Sequence, residues 1–230
     1  MSNPAELVSE YVDIETAHQR KLRIHYQSSG QGKPVLLMHG WPSSGYLWRR
    51  VMPVIARSHR AYAIDLPGFG QSDKPLGVRY SFRFYSNAIN GFLNALDLDE
   101  IGLVVHDLGG PVGIFWALEN PSRMSSLAIL NTLVYPEMSW AVKLFMLSTY
   151  LPGVKKWLVS APGIKAAFKL GVCNTHRITN DLVKPYQTPF VTNEAKEALL
   201  KSAQGLSPKG FKTIAGKLSA IDVPVRLIFG

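Results

Sequence analysis

The sequence has one cysteine, no long apolar run and no repeat, and each absence excludes a class of protein. Cys173 cannot form an internal disulfide, so the chain is not a disulfide-bonded scaffold, and a lone cysteine fits a reducing cytoplasm. The most apolar stretch of its helical part, Trp140–Leu151, includes Lys143 and is far shorter than the about 20 residues of a membrane span. No glycine or heptad period occurs, which excludes collagen and coiled coils.

The first fifteen residues are polar and acidic, so they do not resemble a secretory signal, and we expect a cytoplasmic protein. The 230 residues are 47% hydrophobic and 18% charged, with 19 Gly and 15 Pro, which is typical of one large or two small globular domains. A chain of this length buries enough apolar surface to fold without disulfides or a metal ion.

The formal net charge of +9 is concentrated in one segment. Residues 137–217 hold 12 Lys and Arg against 4 Asp and Glu, whereas in the remaining residues the positive and negative charges are nearly equal in number. These lysines are spaced along helix-like stretches, and no helix-turn-helix, RNP or Cys/His motif accompanies them. A solvated helix face therefore explains the charge better than a nucleic-acid site, which is the weaker alternative.

The first 136 residues alternate between strand and helix patterns. Alternating apolar residues predict two antiparallel strands, Tyr11–Ala17 and Leu22–Tyr26. Continuous apolar runs, typical of strands buried on both faces, predict four more: Pro34–Met38, Ala61–Ile64, Ile101–Val105 and Met124–Leu130. Helical spacing predicts the helices Ser44–Ala56, Phe82–Leu96 and Gly110–Glu119. The pattern indicates an α/β fold with a mostly parallel sheet and helices on both faces.

After residue 136 the pattern becomes helical, broken by prolines and glycines, until a strand pattern returns at Val223–Phe229. We interpret residues 1–136 as the first part of an α/β core and residues 137–217 as a helical cap over the carboxyl edge of the sheet, where ligands bind in such folds. Residues 218–230 return to the core as its penultimate strand.

The segment Val104–Gly110 (VVHDLGG) takes a buried strand directly into a helix, with Asp107 at the turn. This is the arrangement of a nucleophile elbow, in which a tight turn presents one side chain to the site. We expect Gly109 to be required because a side chain there would collide across the turn. The helix N-terminus favours an ionised Asp107 carboxylate, although an ordinary helix N-cap has the same pattern.

The turn His39-Gly40-Trp41-Pro42 follows another buried strand. It is able to aim its backbone N–H groups at the space above the neighbouring strand. We therefore predict that the N–H groups of Trp41 and Leu108 form an oxyanion hole over Asp107. A plain strand-end turn is the alternative, and the elbow that follows makes it the weaker one.

Three motifs in this order, HGWPSSGYLWR, DLPGFGQSDKP and VVHDLGG, resemble the α/β-hydrolase superfamily, specifically its aspartate-nucleophile branch of haloalkane dehalogenases and epoxide hydrolases. The resemblance covers essentially the whole chain and implies the α/β-hydrolase fold. The segment that ends in Asn131-Thr132 is closer to the dehalogenases, and the HGWP turn is more like the epoxide hydrolases.

The resemblance implies that the Asp107 carboxylate displaces a halide, or opens an epoxide, and so forms an alkyl-enzyme ester. Water activated by a histidine then hydrolyses the ester. Halide displacement is the first expectation and epoxide opening the alternative. The implied substrate is a small hydrophobic halogenated or epoxide compound, with no metal or organic cofactor, no nucleic acid and no membrane partner.

Two positions depart from the dehalogenase pattern. Leu108 stands where dehalogenases usually have a tryptophan that binds the halide, and Trp41 stands where many have asparagine. The candidates for a halide donor in the cap are Trp157 and Trp140. The candidates for a proton donor to an epoxide are Tyr150 and Tyr186. Each of the two tryptophans is equally a candidate core residue.

The triad acid and the general base have no counterpart in this sequence. The family places the acid just after the strand Val223–Phe229 or at Asn131, which cannot be an anion, and the histidine later still. The six histidines are His18, His25, His39, His59, His106 and His176, and none has a family-like position. We therefore expect a chain without its last strand and helices. The alternative function is a catalytically incomplete fragment or a non-catalytic remnant that binds a hydrophobic ligand. The oligomeric state stays open.

Overall fold

The computed structural model describes residues 6–16, 20–135, 137 and 140–230. Within these ranges, seven strands form one sheet of order β1-β2-β4-β3-β5-β6-β7. Its strands are β1 (Val8–Thr16), β2 (Arg20–Ser29), β3 (Pro34–Met38), β4 (Arg60–Ile64), β5 (Ile101–His106), β6 (Met124–Leu130) and β7 (Val225–Ile228). Strand β2 pairs antiparallel with β1 and β4, and every other pair is parallel. The mostly parallel sheet predicted from the sequence is confirmed.

The helices are α1 (Met52–Ile55), α2 (Phe82–Ala95), α3 (Gly109–Glu119), α4 (Trp140–Ser148), α5 (Val154–Leu158), α6 (Ala161–Leu170), α7 (Asn180–Gln187), α8 (Asn193–Gln204) and α9 (Pro208–Lys217). Several begin after a Ser or Thr whose hydroxyl accepts a hydrogen bond from the first turn: Ser81, Ser160, Thr179, Thr192 and Ser207. Such a cap stabilises a helix by about 1 kcal/mol, so the sequence itself fixes where these helices start.

The apolar core lies on both faces of the sheet. The larger cluster joins strand residues such as Ile24 and Leu36 to α2, α3 and α9, and it contains the fully buried Trp116. The smaller cluster lies on the other face and includes Leu37, Trp48 and Met52. Helices cover both faces, as the α/β pattern predicts.

The predicted helix Ser44–Ala56 forms two short pieces instead of one. A 3-10 segment, Gly45–Arg50, precedes α1, and Pro53 lies in the first turn of α1. Proline has no N–H to donate to the preceding turn, and its ring clashes with the carbonyl four residues earlier. One continuous helix through Pro53 is therefore unfavourable, and the single-helix prediction is wrong. The last residue of the predicted strand Tyr11–Ala17, Ala17, lies outside the described residues.

Between β6 and β7 the described residues form helices α4 to α9, which we call the helical insert (Trp140–Lys217). The insert packs on the core through α9, where the Phe211 ring lies 5.3 Å from the ring of Phe82, edge to face. No helix in the described part of the chain is long and apolar enough to cross a membrane.

Strand β7 lies at one edge of the sheet and is exposed along its whole length. Leu227 and Phe229 are each 64% exposed. The sequence of β7 resembles that of a buried strand, but the described residues place no layer over it. An apolar edge of this kind is a site for hydrophobic association.

We expect the double substitution Leu227→Lys with Phe229→Lys to reduce the binding of a hydrophobic fluorescent dye. The free energy of unfolding should change by less than about 0.5 kcal/mol, because neither side chain is buried. Dye fluorescence and urea unfolding check this. The control is Leu170→Lys, which removes an 89% exposed leucine from the insert and should leave dye binding unchanged. Equal dye binding by the double variant and the wild type would show that β7 is not the dye site.

Candidate active site

Asp107 lies directly after β5 in a strained backbone conformation. Its φ is +49°, in the left-handed region that side chains other than glycine rarely adopt. The N–H of Gly110 donates to the Asp107 carbonyl at 2.9 Å, and the hydroxyl of Thr132 donates to the same carbonyl at 2.5 Å. These bonds close the turn between β5 and α3. Strain of this kind is typical of functional positions, and the geometry is that of an elbow.

Two glycines allow the ends of β3 and β5 to approach each other. A Cβ atom on Gly109 would lie 2.5 Å from the carbonyl oxygen of His39 and 2.8 Å from that of Met38. The requirement for Gly109 is therefore confirmed, but the collision would be with the end of β3 and not across the elbow itself. A Cβ atom on Gly40 would overlap the side chain of Asp107.

The backbone N–H of Trp41 donates to Asp107 Oδ1 at 2.7 Å. The structure thus brings together the predicted nucleophile and one of the two predicted oxyanion donors. Leu108 precedes α3, and its side chain packs against the larger core cluster. The role of its N–H as the second donor stays a prediction.

His39 organises the oxyanion turn and does not face it as a base. Its Nδ1 donates to the carbonyl of Gly40 at 2.9 Å, and its Nε2 accepts the N–H of Leu66 at 3.1 Å. The ring is completely buried, and this burial lowers the pKa of His39, which keeps the imidazole neutral. Sequence reasoning placed His39 in the turn but missed this role. The available signal was a histidine directly before the glycine of a strand-end turn.

Asp65 anchors the loop after β4. Its carboxylate accepts the N–H of Gly45 at 2.6 Å, the N–H of Gln71 at 2.7 Å and the Nδ1–H of His25 at 2.8 Å. Burial opposes its ionisation, but the hydrogen bonds from His25 and from the N–H of Gln71 hold the pKa of Asp65 below its ordinary value. Asp65 is therefore an ionised, buried carboxylate.

The helical insert covers the oxyanion turn through the side chain of Trp41. The indole N–H donates to the carbonyl of Leu199 in α8 at 3.0 Å. The indole ring also packs edge to face on Phe145 of α4, with ring centroids 4.9 Å apart. One residue thus contacts both the Asp107 carboxylate and the insert. Sequence reasoning missed both insert partners.

The four aromatic candidates of the insert occupy different environments. Trp140, Tyr150 and Trp157 are 78%, 58% and 50% exposed, so the alternative that the two tryptophans are core residues is wrong. Tyr186 is buried; its hydroxyl accepts a hydrogen bond from Arg49 at 3.1 Å, and burial raises its pKa. None of the four hydrogen-bonds Asp107 within the described ranges, and their donor roles stay predictions.

The described histidines do not supply a base to Asp107. His106 points away from the site and packs edge to face on Trp48, with ring centroids 6.4 Å apart. No imidazole in the described part of the chain hydrogen-bonds the Asp107 carboxylate, and His18 lies outside the described residues. Asn131 uses its Oδ1 to accept the N–H of Gly230 at 3.1 Å. Among the same residues, no group of three or more His, Cys, Asp or Glu side chains is placed to hold a metal ion.

The sequence model of the alpha/beta hydrolase fold family matches residues 33–162, which is more than half of the chain. The chain belongs to the alpha/beta hydrolase fold family. It is 40% identical over 128 residues to a haloalkane dehalogenase of Psychrobacter cryohalolentis, a match that covers 54% of this chain and 42% of that protein. It is 36% identical over 119 residues to a soluble epoxide hydrolase of a Corynebacterium species, covering 50% and 41% of the two chains.

The crystal structure of a haloalkane dehalogenase of Agrobacterium tumefaciens C58 superimposes on this alpha/beta hydrolase with a TM-score of 0.78. The two are 25% identical, and the match covers 95% of this chain and 78% of that one. The fold predicted from the sequence is confirmed. The chain matches less than half the length of the two curated relatives above.

We expect Gly109→Ala to destabilise the protein by about 1–3 kcal/mol, because its Cβ must displace the backbone at the end of β3. The control is Gly216→Ala in α9, where a Cβ meets nothing within 4 Å. That change should be neutral or stabilising by about 0.5–1 kcal/mol, since alanine favours helix. Urea unfolding of both variants measures the difference. Equal stabilities would contradict the close approach of β3 and the elbow.

We expect the free energy of unfolding to decrease as the pH falls from 7 to 5. Burial lowers the pKa of both His39 and His106. The unfolded chain therefore binds more protons in this pH range than the folded chain does. The contribution of these two histidines to stability is therefore fully present above the ordinary histidine pKa of about 6.5 and is lost as the pH falls. His106→Phe, which keeps a ring against Trp48, should make this decrease shallower. Urea unfolding at several pH values checks this, with pH 8 as the reference. An unchanged slope in the variant would contradict it.

Proposed function

We propose that this chain carries the nucleophile of a hydrolase that forms an alkyl-enzyme ester, and that it acts as a haloalkane dehalogenase. The observation that supports this most is Asp107 at a left-handed elbow, with Oδ1 bound to the Trp41 amide. The similarity to a haloalkane dehalogenase over 128 residues supports the halide substrate.

In the first step Oδ2 of Asp107, which has no hydrogen-bond partner among the described residues, attacks the carbon that bears the halogen. The carbon–halogen bond breaks, the halide leaves with the electron pair, and an ester forms on Asp107. A carboxylate needs no base for this step because it has no proton to lose. A serine would need a base and would be suited to acyl transfer instead.

In the second step water attacks the carbonyl carbon of the ester. The negative charge then develops on the oxygen that the Trp41 N–H already contacts, and the N–H of Leu108 is the proposed second donor. This step requires a base that activates water. No described histidine is placed for that role, so the alkylation step is expected to run ahead of hydrolysis in this chain.

The helical insert is the proposed cap, with residues 137–217 as its bounds. The contacts of Trp41 with Leu199 and Phe145 support this role, since they place insert residues beside the nucleophile. Aromatic and apolar surface beside Asp107 suits a small hydrophobic substrate. Trp140 and Trp157 are the proposed halide donors. No cofactor is proposed, because both steps use a carboxylate, amide N–H groups and water. A cytoplasmic location without nucleic-acid partners is proposed from composition alone.

Epoxide hydrolysis is the second candidate function, and two observations favour it. The Trp41 indole N–H is already bonded to the Leu199 carbonyl, and Leu108 has no side-chain donor. Neither position therefore offers a free donor to a halide. The 36% identity to an epoxide hydrolase is a further argument. Tyr150 and Tyr186 are the proposed proton donors to the opening ring.

We expect this chain to accumulate a covalent adduct when it is incubated with a mass-labelled 1-haloalkane. The label should map to the peptide that contains Asp107, and it should be absent from Asp107→Asn, in which asparagine tolerates the left-handed backbone. The control is Asp97→Asn, because Asp97 also has a positive φ, +52°, but is exposed and precedes the opposite end of β5 from Asp107. Intact mass and peptide mapping measure the adduct.

A labelled epoxide incubated in parallel separates the two functions. An adduct with the epoxide alone would favour the epoxide hydrolase. An adduct with neither compound, from protein that unfolds cooperatively, would show that Asp107 is a helix cap and not a nucleophile. Multiple turnovers would show that a base is present after all.

A further inference from the structure

A second set of hydrogen-bonded polar side chains lies on β1, β2 and the end of β4, away from the elbow. Ser9 Oγ lies 2.8 Å from Nε2 of His25, and His25 Nδ1 lies 2.8 Å from Oδ2 of Asp65. The order of groups is that of a serine hydrolase: a hydroxyl, an imidazole and a carboxylate, each within hydrogen-bond distance of the next.

The register of the strands brings these residues to one face of the sheet. Ser9 lies opposite Gln27 and Tyr11 opposite His25 in the β1–β2 pair. Directly opposed side chains of an antiparallel pair point to the same face. The register of β2 with β4 then brings His25 beside Asp65, the residue that follows β4. The cluster is thus built on paired strands, which hold it rigidly.

The carboxylate fixes the tautomer of His25. Asp65 is ionised and 2% exposed, and an ionised carboxylate only accepts hydrogen bonds, so Nδ1 of His25 carries the proton. In the neutral imidazole Nε2 is then the nitrogen without a proton, and it lies within hydrogen-bond distance of the Ser9 hydroxyl, whose proton it is able to accept. His25 is itself 3% exposed, whereas Ser9 is exposed. A buried base therefore contacts a nucleophile that a substrate reaches from solvent.

Gln71 adds a hydrogen-bond donor on the same side. Its Oε1 accepts the hydroxyl of Tyr11 at 2.9 Å, which turns the amide nitrogen toward His25. That nitrogen lies 3.4 Å from Nε2 of His25, the same ring atom that Ser9 contacts. An amide N–H beside the nucleophile is one of the donors that stabilise a tetrahedral oxyanion.

A cavity of about 110 Å³ adjoins His25 and Gln71 between the core and the insert, where Pro185 and Pro189 close it. Gln27 also lines this cavity, and its buried Oε1 has no hydrogen-bond partner among the described residues. A cavity of this size admits a group of a few heavy atoms. The geometry thus combines an exposed hydroxyl, a buried imidazole and an amide donor, and the imidazole and the amide also line a small pocket.

We propose that Ser9 is the nucleophile of a second, acyl-transfer site, which cleaves esters that join a small acyl group to a good leaving alcohol. Ser9 Oγ bonds to the acyl carbon while its proton moves to Nε2 of His25. The carbon–oxygen bond to the leaving alcohol breaks, and the alkoxide takes that proton. Water then attacks the acyl-serine, His25 takes the proton of the water, and the carboxylic acid leaves as Ser9 is restored.

The test uses p-nitrophenyl acetate with the Asp107→Asn variant, so that the elbow carboxylate makes no contribution. We expect one equivalent of p-nitrophenolate in a burst, and one acetyl group on the peptide that contains Ser9. Ser9→Ala should abolish the burst and the acetyl label. It should leave the unfolding free energy nearly unchanged, because Ser9 is exposed. Gln71→Leu should slow acylation by roughly a hundredfold, as expected for loss of one oxyanion donor.

The chain offers a matched control in Ser58, whose Oγ also lies 2.8 Å from a histidine nitrogen, Nδ1 of His59. No carboxylate in the described part of the chain hydrogen-bonds His59, so Ser58→Ala should change neither burst nor label. The proposal is overturned by the absence of acetylated Ser9, by an unchanged burst in Ser9→Ala, or by equal acetylation of Ser58. Because Asp107 is absent from this experiment, its outcome is independent of the dehalogenase proposal.

Discussion

One buried carboxylate, that of Asp65, holds together the loops on which both candidate sites depend. It binds the amides of Gly45 and Gln71 and the ring of His25, and the next residue, Leu66, donates its N–H to His39. An ionised group with three donors is stable in the interior, whereas an unpaired one would not be. The loop after β4 is therefore rigid, and rigidity at this edge of the sheet is required for either chemistry.

A short series of contacts connects that loop to the elbow at Asp107. His39 fixes the carbonyl of Gly40, and the following residue, Trp41, presents its N–H to Asp107. Gly109 permits the approach because no side chain separates the two strand ends. The Asp107 carboxylate is thus positioned by backbone atoms of the neighbouring strand end. Backbone donors placed in advance need no reorganisation when charge develops during the reaction.

Local patterns in the sequence predicted the features that depend on neighbouring residues. The bounds of β3 and β6 and the elbow at Asp107 follow from apolar runs and from small residues, which act over a few positions. The split at Pro53 was predictable from the missing N–H of proline. Contacts such as Trp41 with Leu199 were not, because they join residues 158 positions apart and depend on how the insert packs. For the same reason, helical spacing alone left the environments of the insert aromatics unassigned.

The two hydrogen bonds of Trp41 have a consequence for substrate entry. Its main-chain N–H contacts the Asp107 carboxylate while its indole N–H contacts the carbonyl of Leu199 in α8. Any movement of α8 that admits a molecule must either break the indole bond or shift the whole residue. The position of α8 and the alignment of the Trp41 N–H with Asp107 are therefore thermodynamically linked. A compound that binds more tightly when the Trp41 N–H contacts Asp107 must, by reciprocity, favour by the same free energy the position of α8 in which Leu199 accepts the indole N–H.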